Sequence, residues 1–188
     1  MKAQDRNVGS RRSMRLKPYD YSLAGYYFLT VCAQNRQCVF GEIINGKMAL
    51  NEAGEMIETN WNKLPRRFPN IKLDEFVIMP NHMHGVIIIV GAPLVGAQNN
   101  DIADVNDSQR AATRAATTLG DIVGAFKSIA ANEYIRSVKN NDWPPFKGSI
   151  WQRNYYEHII RDECDLNRVR EYVVNNPYKW QEDEYYAA

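Results

Sequence analysis

The chain has 188 residues, 45% of them hydrophobic and 24% charged, with a formal net charge of +1. Those proportions suit one soluble globular domain that buries its own core, and they exclude a disordered or fibrous chain. No apolar run reaches the ~18 residues of a membrane span, and the N-terminus is too polar for a secretory leader.

Three cysteines, Cys32, Cys38 and Cys164, stand without CxxC spacing. That pattern argues against a zinc ribbon and for a reducing, cytoplasmic setting. Residues 1–24 read as a basic tail, whose first 17 residues hold Lys2, Arg6, Arg11, Arg12, Arg15 and Lys17 against the single acid Asp5. Such a tail suits a phosphate backbone, and equally a solvated terminus.

"GYYFLTVCA", Gly25 to Ala33, is β-branched and aromatic and predicts the first strand. "CVFGEIINGKMAL" then carries Asn45-Gly46, a hairpin turn signal. In "NEAGEMIETNWNKL" the residues Ala53, Met56, Ile57, Trp61 and Leu64 fall at helical spacing behind Asn51 as N-cap. Two runs follow, Lys72 to Met79 and His82 to Val90, separated only by Pro80-Asn81. The second is apolar on both faces, as befits the middle of a sheet.

Residues 91–118 are small, polar and aperiodic, and predict a long loop inside the domain. Thr118-x-x-Asp121 opens a capped helix with Ile122, Phe126, Ala130, Tyr134 and Val138 as its apolar stripe. "SIWQRNYY" reads as a short strand, and Glu163 to Asn175 as a last helix with Leu166, Val169 and Val173 inward, stopped by Pro177. Stripped of its extra hairpin the order is β-α-β-β-α-β. The expected class is α+β, a ferredoxin-like (split βαβ, RRM-like) antiparallel sheet with helices on one face. The domain is expected over 25–180, with 181–188 a C-terminal tail.

Side chains two apart on a strand share a face, so His82 and His84 project together from the start of a central strand. Each offers a nitrogen lone pair, and the pair suits one metal ion; the bland alternative is two histidines satisfied by backbone. His158, the third histidine, would complete a zinc hydrolase of the three-histidine kind. Tyr172 and Asn176, four apart, lie on one helix face beside the inward stripe, and a carboxamide oxygen is a hard ligand for Mg²⁺ or Mn²⁺. With eleven tyrosines in the chain, spacing alone singles out none of them. Arg153, Tyr155 and Tyr156, with Trp151, interleave charge and rings as a single-strand groove does, and Lys127 is a further phosphate candidate. A non-catalytic nucleic-acid-binding module of the RRM kind is the remaining alternative.

"VIMPNHMHGVIII", "WQRNYYEHIIRD" and "REYVVNNPYKW", in that order, closely resemble the IS200-like tyrosine transposases, and most of all their REP-associated branch. The likeness runs from about Gly25 to Trp180. The family belongs to the HUH endonucleases, in which two histidines flanking a hydrophobic residue, here Met83, bind a divalent metal. The resemblance implies His82 and His84 as ligands of Mg²⁺ or Mn²⁺, Asn176 as a third polar ligand and Tyr172 as the catalytic tyrosine. It implies cleavage and rejoining of single-stranded DNA at hairpin-forming palindromes through a 5′-phosphotyrosine. His158 matches a family position next to Glu157, with no ligand role implied. Relatives act as homodimers or as monomers.

Overall fold

The computed structural model describes residues 20–90 and 117–187. The expected tail arginines Arg11, Arg12 and Arg15, and nearly all of the expected loop, lie outside them. Four strands, β1 (Gly25–Cys32), β4 (Ile71–Ile78), β5 (His82–Ile89) and β6 (Tyr156–Ile160), form one antiparallel sheet in the order β4-β5-β1-β6. That is the ferredoxin-like order. A separate hairpin of β2 (Gly41–Ile44) and β3 (Lys47–Leu50) turns at Asn45 and Gly46, both at positive φ (52° and 74°), as an Asn-Gly type I′ turn requires.

Strand alternation splits the sheet into two chemical faces. Tyr27, Leu29 and Val31 of β1 and Met83, Ile87 and Ile89 of β5 point one way and make the main core. Two helices cover that face, α1 (Glu52–Asn62), capped by Asn51, and α3 (Leu119–Asn140), capped by a Thr118/Asp121 capping box. They bring Ile57, Trp61, Ile122 and Phe126, all essentially inaccessible. A single turn, α2 (Leu64–Arg67), follows α1.

The expectation of helices on one face holds for α1 and α3. The last helix, α4 (Glu163–Asn175), lies over the other face, where Phe28, Val86 and Ile160 meet its Leu166 and Val173. Its placement is reinforced by Arg170, whose Nε and Nη2 bond the Asp74 carboxylate of β4 at 2.7 and 2.6 Å. Asp162 caps its N-terminus, accepting from the Asp165 amide.

Gly85 is required where it stands. A Cβ there would meet the Trp61 indole at 2.5 Å, because the ring lies flat against the strand just past the histidines. Gly85→Ala is expected to lower stability by about 1–3 kcal/mol through overpacking, read as a shifted denaturant midpoint with unchanged slope. An unshifted midpoint would mean that the indole moves aside freely.

The sheet corrects one boundary. The fourth strand lies at Tyr156–Ile160, not over "SIWQRNYY", where only Trp151 makes an isolated bridge, to Ala33. The reason is Lys127 of α3, whose ammonium collects the carbonyls of Gln152, Arg153 and Asn154 at 2.7, 3.2 and 3.2 Å. Carbonyls turned toward a cation are unavailable to a β ladder, which begins at Tyr156, two residues past Asn154.

Candidate active site

The face beneath α4 carries the histidine pair. His82 and His84 open β5, and Cys32 and Thr30 are their cross-strand partners on β1. Both imidazoles are essentially inaccessible (0% and 1% exposed), and their Nε2 atoms are 3.0 Å apart. Phe28 stacks on His84 at 5.4 Å between ring centres, forming an apolar floor.

The tautomer of His82 follows from its neighbour. Asn81 Nδ2 donates to the carbonyls of Arg36 (3.1 Å) and Tyr185 (2.9 Å), so its Oδ1 must be the atom 2.8 Å from His82 Nδ1. His82 therefore carries its proton on Nδ1 and turns a bare Nε2 toward His84. His84 Nδ1 lies 2.9 Å from the Thr30 hydroxyl, which donates or accepts. His84 has two arrangements: it donates Nε2–H to His82, or it holds its proton against Thr30 and leaves two lone pairs facing one another. The second arrangement is that of a cation site with its outer hydrogen bonds already in place. Burial pushes both imidazoles toward the neutral form, His82 down to about 4 and His84 well below its ordinary value.

From α4, the Tyr172 hydroxyl lies 3.2 Å from His84 Nε2, across 88 residues of sequence. Burial, then the carboxylates of Asp183 and Glu184, raise its phenol to about 12. One turn on, Asn176 is 3% exposed, donates Nδ2 to Asp183 (2.9 Å), and leaves its buried Oδ1 without a hydrogen-bond partner. Ring nitrogens of His82 and His84 and a carboxylate oxygen of Asp183 lie within 4.8 Å of one another. An orphaned carboxamide oxygen, two imidazole nitrogens and a carboxylate fit a divalent cation, and the oxygens suit Mg²⁺ or Mn²⁺.

His158 does not join this group. Its Nε2 is 2.8 Å from Asp165 of α4, a tie between β6 and the helix start. Nothing therefore favours a three-histidine zinc centre. Lys127 has its three donors taken by the three carbonyls already described, and burial lowers its ammonium to about 8. As folded, it holds a turn. Tyr155 packs against the main core with Lys127 over its ring at 5.8 Å, and Arg153 is exposed. Tyr156, opposite Thr30 in the ladder, shares the histidine face and is 40% exposed, with its ring edge-on to Phe28.

Asp183, Tyr185, Asn81 and Thr30 were not among the residues that the sequence singles out for this site. Asn81 and Thr30 sit on the predicted strands and turn, but only pairing puts them on the imidazoles. Asp183 and Tyr185 come from the expected C-terminal tail, which folds back over the pair; its "EDEYY" has no spacing that marks a ligand.

No family model matches the chain. It is 42% identical over 180 residues to an uncharacterized protein of Haemophilus influenzae (strain Rd), covering 96% of this chain and 95% of that one. A second Haemophilus influenzae protein, named "Putative REP-associated tyrosine transposase", is 23% identical over 160 residues, 85% of this chain and 74% of its own. Among solved structures, that of a REP-associated tyrosine transposase bound to a REP hairpin covers 86% of this chain and 72% of its own, at 20% identity and a TM-score of 0.47.

Proposed function

The chain belongs to one family with the 42%-identical Haemophilus protein and resembles REP-associated tyrosine transposases; on that premise we propose that it is a metal-dependent transposase of the HUH type. Its substrate is single-stranded DNA bearing a hairpin, and its nucleophile is Tyr172. The observation that carries this reading is the Tyr172 hydroxyl 3.2 Å from His84 Nε2, in a cluster whose donors fit a divalent cation. A core histidine pair needs no tyrosine, no orphaned Asn176 oxygen and no nearby carboxylate.

The Tyr172 oxygen forms a bond to the scissile phosphorus while the bond from phosphorus to the 3′-oxygen breaks. The phenol gives its proton to solvent, the 5′-phosphate stays on the tyrosine, the 3′-oxygen leaves as a hydroxyl after taking a proton from solvent, and attack by a 3′-hydroxyl reverses the step on the same or a new strand. Covalent storage of the phosphodiester is what a side-chain nucleophile provides and water does not. His82 Nε2, His84 Nε2 and Asn176 Oδ1 would hold Mg²⁺ or Mn²⁺, which when bound would withdraw charge from the phosphate oxygens. Phe28 and α4 exclude water from one side of the imidazoles. Asn81 and Thr30 hold the ring protons away from the metal side.

Tyr156, exposed on the same face, is placed to stack a base, and Arg153 and Tyr155 border the strand that bears it. Lys127 serves indirectly, by shaping the 152–154 turn. Arg11, Arg12 and Arg15 supply phosphate contacts from the tail.

The test is a denaturing gel. Hairpin-bearing single-stranded oligonucleotides incubated with the full chain and Mn²⁺ or Mg²⁺ are expected to yield a protein band that carries labelled DNA. Strong binding that never yields such a band across a panel of hairpins would leave a binding module instead. Binding is also expected to weaken steeply with salt, as several phosphate contacts demand.

A further inference from the structure

The turn α2 and the start of β4 take no part in the histidine site, yet they carry a run of one charge. From Lys63 to Lys72 the chain holds Lys63, Arg66, Arg67 and Lys72 and no acid. All four side chains are exposed, and among the described residues none of them is paired with a carboxylate. Like charges held close without counter-charge repel one another, and an anionic partner relieves that repulsion. Their backbone is stiff. Leu64 is buried, Pro65 and Pro69 fix φ, and the Phe68 and Ile71 amides bond the Leu64 and Phe68 carbonyls at 2.9 and 3.1 Å. Between the turn and α3 lies a cleft of about 350 Å³, whose one acid is Glu133, which accepts from the Asn60 amide at 2.6 Å.

The place of this turn is fixed by the sheet. The Asn70 carbonyl takes the Val90 amide at 2.8 Å, which sets the turn beside the end of β5 farthest from His82. The N-terminal chain enters at the same end. The Tyr21 carbonyl takes the Leu119 amide at 3.0 Å, and Gly25 stands opposite Ile89, which stands opposite Ile71. The basic first 17 residues are therefore tethered beside the four cations. From His82 to Ile89 the strand rises about 3.3 Å per residue, so about 23 Å separate the two ends.

The chemistry of the turn differs from that of the histidine face. A groove for a single strand pairs cations with open rings on which bases stack, as Tyr156 offers beside the site. Between Lys63 and Lys72 the one ring is Phe68, half-buried, with the Arg67 guanidinium over it at 5.8 Å. Cations without open rings suit a duplex, which turns its phosphates outward and keeps its bases stacked inside. We propose that Lys63, Arg66, Arg67 and Lys72 form a phosphate-binding surface for the duplex stem of the hairpin substrate. At about 3.4 Å per base pair, a stem that starts near the histidine pair reaches them after about seven base pairs. The inference rests on the DNA-cleaving reading and names where the remainder of that substrate lies.

The experiment uses the full chain in a Tyr172→Phe background, so that binding is read without cleavage. Two fluorescein-labelled oligonucleotides share one single-stranded extension; one has a stem of about ten base pairs, the other a stem of about three, too short to reach the turn. Fluorescence anisotropy at a series of salt concentrations gives the slope of log affinity against log salt for each. Adding Lys63→Gln, Arg66→Gln and Arg67→Gln together is expected to flatten that slope by about three with the long stem and to leave the short-stem slope unchanged. Arg66→Lys with Arg67→Lys keeps the charge and is expected to keep the slope. The substituted side chains are exposed, so the fold does not depend on them, and thermal melting checks this. An unchanged long-stem slope in the triple variant, or a short-stem slope that flattens equally, overturns the stem surface and leaves the DNA reading standing. Failure of the Tyr172→Phe protein to bind either oligonucleotide removes the DNA reading and the stem surface together.

Discussion

Tyr172→Phe is expected to eliminate the covalent protein–DNA band, a fall of about 10³-fold or more, while the protein still binds the oligonucleotide. Phenylalanine keeps the ring that lies edge-on to Phe28 at 6.0 Å. Only the oxygen goes, so fold and DNA binding have no reason to change. The sharpest control is Tyr185→Phe. The Tyr185 ring is nearer His82 than that of any other tyrosine shown to contact the pair, and burial raises its phenol further still. If Tyr172 is the nucleophile, Tyr185→Phe keeps the adduct. The opposite pattern, with the adduct surviving Tyr172→Phe and vanishing in Tyr185→Phe, would move the nucleophile from α4 to the C-terminal segment.

The second large effect is on ion binding. Titration calorimetry with Mn²⁺ is expected to show a site in the unaltered protein and none in His82→Ala, because one of two facing nitrogens is gone. Asn81→Ala is expected to weaken binding by about 10- to 100-fold, since it frees the His82 ring to rotate and to place its proton on Nε2. His158→Ala is expected to leave ion binding unchanged, because its Nε2 belongs to Asp165. A loss in His158→Ala equal to that in His82→Ala would restore the three-histidine centre. Thermal melting of each variant separates a lost site from a lost fold.

Much of this site is local in origin, and that part was readable from the chain. The alternation of a strand puts His82 and His84 on one face whatever surrounds them, and the helical repeat puts Tyr172 and Asn176 on another. The Asn45-Gly46 turn, the Asn51 cap and the Thr118/Asp121 capping box formed where residue chemistry placed them, because each is complete within a few residues. What failed was also instructive: "SIWQRNYY" has strand-like residues, but the Lys127 ammonium competes for its carbonyls from 25 residues away.

The sequence by itself determined the ferredoxin-like order of elements and the two pairs of chemically able side chains, since both follow from periodicity and turn chemistry along short stretches. Only the tertiary structure decided that α4 crosses to the histidine face, drawn there by the apolar stripe of Leu166 and Val173 on Phe28 and Val86 and by the Arg170–Asp74 pair. It alone decided which histidine stayed out, which tautomer Asn81 imposes, and that Asp183 and Tyr185 close over the pair. The physical reason is range: a hydrogen bond such as that from Asn81 to Tyr185 joins residues 104 apart, and no local pattern carries the distance between them.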